Sequence, residues 1–285
     1  MKKPKFKFII LIAVIAMGLI SLTQTGCKKE STNSDQVAYD AADAFAGGRL
    51  YDHFMSELNV TDTSLTKHIN FYRCKSCHGW DLLGQKGHLI SKTPSASYPT
   101  IPDLNLYALA QTDPIRDLFD GIKHTGGRKS TDALSSTMPD YGLLLTDAQI
   151  WDLVKFLKTG ARDVTNFYDY ALTGTYPTGS ISFSNIGKGG NATAGLAVYA
   201  AKCQSCHGAN GSSINIYCQG DWLGNVFRDD PFELQHKARF GMPLDKDHPG
   251  CSYAGAMTTF PTITDQDIKD LLKMGQDATT FPDYP

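Results

Sequence analysis

A six-residue signature occurs twice in the chain, as Cys74-Lys-Ser-Cys77-His78-Gly79 and, 129 residues later, as Cys203-Gln-Ser-Cys206-His207-Gly208. No other feature constrains the fold as strongly. Two thiols separated by two residues stand on one edge of a turn, with a histidine held beside them. A zinc site would need a further pair of ligands at regular spacing, and neither copy has one nearby. A thioredoxin-like pair would want one copy in a βαβ context and gives the following histidine no role.

C-x-x-C-H is the attachment sequence of c-type haem. Two thiols add across the two vinyl groups, and two intervening residues let both reach one edge of the macrocycle. The adjacent histidine then lies under the iron as its proximal ligand. The duplication predicts two covalent haems, one on Cys74, Cys77 and His78 and one on Cys203, Cys206 and His207.

The rest of the chain fits two modest domains. It has 285 residues, 41 % hydrophobic and 20 % charged, which excludes low-complexity and multi-span membrane readings. A formal charge of −2 leaves no basic surface for nucleic acid. Met1 to Lys7 is basic and Phe8 to Leu22 is nearly all apolar. That run is short for a bilayer span and suits a signal peptide. Gly26-Cys27 at its end resembles a bacterial lipoprotein processing site, with Gln24 where Leu is usual, and Cys27 would carry the lipid. Cleavage there removes four lysines and leaves 23 basic against 29 acidic residues. The expected organisation is 1–26 signal peptide, 27–46 lipidated tether, 47–165 first haem domain, 166–190 irregular linker and 191–285 second haem domain. The protein is expected on a bacterial membrane, facing the periplasm or cell surface.

Each unit ends in a similar helix. In the first, Thr146 and Gln149 form a capping box, and Ile150, Leu153, Val154 and Leu157 make one apolar stripe before Gly160. In the second, Thr264 caps the stripe Ile268, Leu271 and Leu272, and Gly275 stops it. Ahead of the second haem motif, Ala192 to Lys202 is good helix sequence. Gly195 and Tyr199 there lie eight and four residues before Cys203; the first copy has Thr66 and Asn70 at those offsets.

These features together resemble the class I cytochromes c, twice over, across about residues 60–160 and 190–277. Gly47-Gly48-Arg49-Leu50-Tyr51-Asp52 and Arg73 to Asp81 are also similar to a group of exported bacterial multihaem cytochromes. The resemblance implies an all-α fold of two cytochrome c-like domains, each wrapped around a haem. It implies a close crossing of the first and last helices at Gly195 and Tyr199, and a distal methionine shortly before the last helix. Met138, 60 residues past His78 and followed by Pro139, is the candidate in the first unit, with His124 the competitor. In the second, aligning Asp113-Pro114 with Asp230-Pro231 favours Met257, and Met242 in Gly241-Met242-Pro243 is the alternative. Pro102 would offer its carbonyl to the proximal histidine of the first unit, and Leu223 would line the second site. Arg73 would either pair with a propionate or stand exposed.

The implied role is electron transfer between redox proteins, tethered to a membrane by lipid. Six-coordinate iron has no open substrate site. The alternative is a dihaem enzyme of the peroxidase or thiosulfate-oxidising type, in which His124 and Glu233 could serve acid-base chemistry. Cys218 and Cys251 remain after the lipid and haem cysteines are subtracted, and in an oxidising compartment they are expected to form a disulfide. It would close a loop of about 33 residues, for which chain entropy gives roughly 3–4 kcal/mol. Otherwise they are free thiols, or one is a haem ligand.

Overall fold

A computed structural model describes residues 32–95, 100–124, 138–216, 220–242 and 257–285. Among them the regular structure is helical apart from one hairpin, as expected for the all-α class. The first unit contains α1 (Asn33–Ala41), α2 (Ala44–Glu57), α3 (Thr63–Thr66), α4 (Ile69–Tyr72) and α5 (Lys75–His78). It continues through α6 (Leu106–Thr112), α7 (Ile115–Lys123) and α8 (Asp147–Lys155), which runs on into a π-helical turn at Phe156–Gly160. The second unit contains α9 (Ala192–Lys202), α10 (Gln204–His207), α11 (Leu223–Arg228), α12 (Pro231–Phe240) and α13 (Asp265–Met274).

Local sequence explains where the long helices begin. Thr146 and Gln149 exchange the two bonds of a capping box at α8, and Thr264 and Asp267 do so at α13. The stripe Ile150, Leu153, Val154 and Leu157 is buried in the first core, and Ile268, Leu271 and Leu272 in the second. Trp151 packs on Phe119 at 4.5 Å between ring centroids.

Two segments differ from the sequence reading. Residues 27–46, expected as tether, contain α1 and the start of α2. Thr32 and Asp35 form a capping box there, and Asp35 is buried, bonded to Arg116 at 3.1 Å. The cap satisfies two backbone donors and the ion pair anchors the helix beside α7 and α8, so this stretch is ordered from Thr32 onward. Residues 166–190, expected as an irregular linker, hold an antiparallel hairpin, β1 (Asp169–Thr173) and β2 (Ser180–Ser184), with Tyr170 opposite Phe183. Its aromatic residues are the reason. Phe167 and Tyr168 are buried in the second core, and Phe183 meets Tyr168 at 5.3 Å and Phe232 at 5.7 Å.

In each unit an early helix crosses the last one at a glycine. A β-carbon on Gly195 would lie 2.2 Å from the Asp270 carbonyl oxygen, and one on Gly47 would lie 2.0 Å from that of Asp152. Only a residue without a side chain allows α9 to touch α13, and α2 to touch α8, this closely. The crossing implied for the second unit is therefore present at Gly195 and Tyr199. In the first unit it is made by α2, through Gly47 and Tyr51. Thr66 and Asn70 belong instead to the short helices α3 and α4, which lie between Tyr51 and the haem motif.

Candidate haem sites

The two C-x-x-C-H turns are built alike. α5 and α10 are single turns that end at His78 and His207. The carbonyl after each motif is held by the tyrosine of the crossing helix. Tyr51 Oη donates to the Gly79 carbonyl at 2.6 Å and Tyr199 Oη to the Gly208 carbonyl at 2.6 Å. One residue four positions past the crossing glycine thus ties each helix pair to its motif.

In the first unit one cleft is lined by Cys74, Cys77, His78, Met138, Arg73 and Pro102, among others. The structure therefore brings the thiol pair, the proximal candidate and the distal candidate to one place. Burial pushes both thiols up to about 12 and His78 down to about 4. The imidazole is neutral at physiological pH, the form that ligates a metal. In the second unit burial pushes Cys203 up to about 11 and lowers His207 as well. This turn is the more open of the two, since Gln204, Ser205 and Cys206 are all exposed.

Nδ1 of His78 and Nδ1 of His207 are each buried without a hydrogen-bond partner among the described residues. Such groups are uncommon in folded proteins. Together with neutral thiols in apolar surroundings and an adjoining cleft, they fit a covalently held haem. Among the described residues no cluster of three or more His, Cys, Asp or Glu side chains could hold a bare metal ion.

Other predicted positions fall as follows. The Pro102 carbonyl accepts from the Gln85 N–H at 3.1 Å and His78 Nδ1 has no hydrogen-bond partner among the described residues, so the expected bond from His78 is not formed, although Pro102 lines the cleft. His124 is the left-handed cap of α7, with φ +44°, the place Gly241 takes at the end of α12 with φ +67°. Leu223 is buried in the second core, and Glu233 lies in the first turn of α12. Met242 and Met257 face each other across an antiparallel bridge, with Met242 N–H donating to the Met257 carbonyl at 3.0 Å. Residues directly opposed in such a pair share a face, so both distal candidates stand side by side. Cys27, Cys218 and Cys251 lie outside the described residues.

Sequence reasoning missed a buried charge cluster where the units meet. Asp52 is wholly buried. Lys237 reaches it from α12 at 2.7 Å, Arg73 at 3.2 Å and Lys75 at 3.7 Å. Arg73 is thus neither exposed nor free; it joins this cluster and the cleft wall. Burial alone would raise the Asp52 carboxyl, but Lys237, Lys75 and Arg73 outweigh it and hold it far below the usual carboxylate range. Burial, helped by Arg73, draws Lys75 down to about 7. The ammonium groups of Lys75 and Lys237 lie 4.0 and 4.7 Å from the Trp80 ring centroid. His236, packed on Trp80 at 4.6 Å, donates Nε2–H to the Gly48 carbonyl at 3.0 Å. Phe240, at the end of the same helix, belongs to the core of the first unit.

Among the described residues no helix is long and apolar enough to cross a membrane. No curated protein and no solved structure matches the chain. A family model does: the one described as Cytochrome c matches twice, over residues 67–161 and 192–273, together more than half of the chain. The second match runs from α9 into α13, while the first begins after α2, whose crossing role an intervening segment separates from its haem motif. With two matching stretches, a helical fold and two cysteine–histidine turns, the chain belongs to the cytochrome c family, and its chemistry is electron transfer to and from redox partners through covalent haem c iron.

Proposed function

We propose that the protein is a two-haem electron relay held at a bacterial membrane by lipid. The cleft that carries Cys74, Cys77, His78 and Met138 on its wall is the observation that supports this reading most directly. Bound haem supplies an iron that changes charge by one electron. The protein's part would be to hold the haem and to ligate its iron. Cys74 and Cys77 would hold the haem covalently, and neutral His78 would supply a ring nitrogen as ligand. Met138 offers a thioether, which favours the reduced state and suits a carrier. In the second unit His207 is paired with Met257, and Met242 stands beside Met257 as the alternative. With a histidine and a methionine as ligands at each site, neither would offer peroxide or thiosulfate a place to bind.

The test is spectroscopic. The purified protein should gain the mass of two haems, with both irons low-spin in each redox state and unchanged by carbon monoxide. One haem per chain, or rapid turnover of peroxide, would replace this reading with the enzyme one.

The basic start, the apolar run and Gly26-Cys27 support the lipid anchor. Wild-type protein should partition into detergent and Cys27→Ala should not. Wild-type material that washes from membranes in buffer alone would show the anchor to be wrong. The Cys218–Cys251 disulfide is part of the same reading, because an exported chain matures where thiols oxidise.

A further inference from the structure

The two haem motifs differ in the charges around them. At the first, Arg73 precedes Cys74 and Lys75 follows it, and both are packed inward. At the second, Lys202 and Gln204 hold the same places. Gln204 is exposed, and the Lys202 ammonium lies 5.7 Å from the Phe260 ring centroid. The first motif receives in addition Lys237, which is donated by the second unit and bonded to Asp52 at 2.7 Å. Two full cations, Arg73 and Lys237, and the partly protonated Lys75 therefore meet one buried carboxylate there, with Glu233 acting on Lys75 from α12. The balance is positive, and Arg73 carries it to the wall of the cleft.

A fixed positive charge beside an iron disfavours its oxidised form, which is one charge more positive, and does so more strongly away from water. We propose that Lys237, a residue of the second haem unit, holds the first haem at the higher potential of the two and so sets where an electron comes to rest within the chain. This rests on the two-haem reading above. An electron exchanged between the sites oxidises the second iron and reduces the first. No bond is made or broken, and no other reactant is needed. Lys237 acts as a positioning residue, through Asp52 and Arg73, without touching the iron.

The experiment is a spectroelectrochemical titration of the mature protein, with haem counted independently as its pyridine complex. Wild type should give two resolved one-electron waves. Lys237→Gln should lower the higher wave by at least tenfold in its equilibrium constant, which is 59 mV for a one-electron couple. The lower wave should move by less than tenfold. Lys237→Arg keeps the charge and should restore the higher wave, which a packing role alone would not. Proton resonances of Phe71 and Tyr141, which line the first cleft, should follow the wave that moves. If Lys237→Gln does not load haem, Lys75→Gln gives the first motif the glutamine of the second and should lower the same wave. Two haems titrating as one wave in wild type, a tenfold shift of the lower wave, or a higher wave moved less than tenfold would each overturn the inference and leave the relay intact. One haem per chain would overturn both.

Discussion

Gly195→Leu should cost the second unit about 3 kcal/mol or more, at or beyond the upper end of overpacking penalties. A β-carbon at Gly195 meets the Asp270 carbonyl oxygen at 2.2 Å and the Met274 β-carbon at 2.8 Å. Backbone cannot rotate out of the way, so α9 and α13 must separate. Gly47→Leu should do the same to α2 and α8, where the carbonyl of Asp152 would be 2.0 Å away. Each separation also withdraws the tyrosine that holds the carbonyl after the haem motif. Gly121→Ala is the matched control, since nothing lies within 4 Å of a β-carbon there. In α7 that change should stabilise by about 0.5–1 kcal/mol. Guanidinium unfolding midpoints decide the matter, and a Gly195→Leu protein that unfolds at the wild-type midpoint would refute the crossing.

The second large effect is expected at Asp52. Asp52→Asn leaves Arg73, Lys75 and Lys237 without their shared counter-charge. Removing one partner of a buried ion pair costs about 3–5 kcal/mol. The same carboxylate gives the protein an acid-sensitive stability. Its carboxyl titrates far below the usual value in the folded protein, so its contribution is complete above the unfolded value of about 3.9. As pH falls below that, the unfolded chain binds a proton that the folded chain refuses, and stability declines. Unfolding free energies from pH 6 downwards should show that decline in wild type. In Asp52→Asn it should be shallower and the whole curve lower. An unchanged acid slope in the variant would remove Asp52 from this role.

Much of the helical frame was legible because short-range signals agreed with one another. At α8 and α13 a capping box, an apolar stripe and a terminal glycine all marked the same segment. Around the first haem motif they did not. Gly47 and Tyr51 have the spacing of Gly195 and Tyr199, and that repeat was the available signal for the crossing helix. The interval from tyrosine to motif differs, however, so a search at fixed offset lands on Thr66 and Asn70. The hairpin was hidden by a composition of Gly, Thr and Ser. Its trace was period-two alternation, Tyr170 and Leu172 on one strand and Ile181 and Phe183 on the other. The Asp52 cluster could not be read at all, because a buried aspartate and a lysine 185 residues away carry no local mark of their pairing.

Lys237 and Phe240 also decide where this chain can be divided. A pair of duplicated units invites a cut between them, with each half kept as a separate cytochrome. Here the cut would take Phe240 out of the core it completes and strip Asp52 of its nearest cation. The amino-terminal half would keep its haem motif and lose part of its interior. The two halves are therefore not interchangeable parts. A replacement for either one would have to bring a matching carboxylate or a matching lysine, so the pair is what evolution can inherit or exchange as a whole.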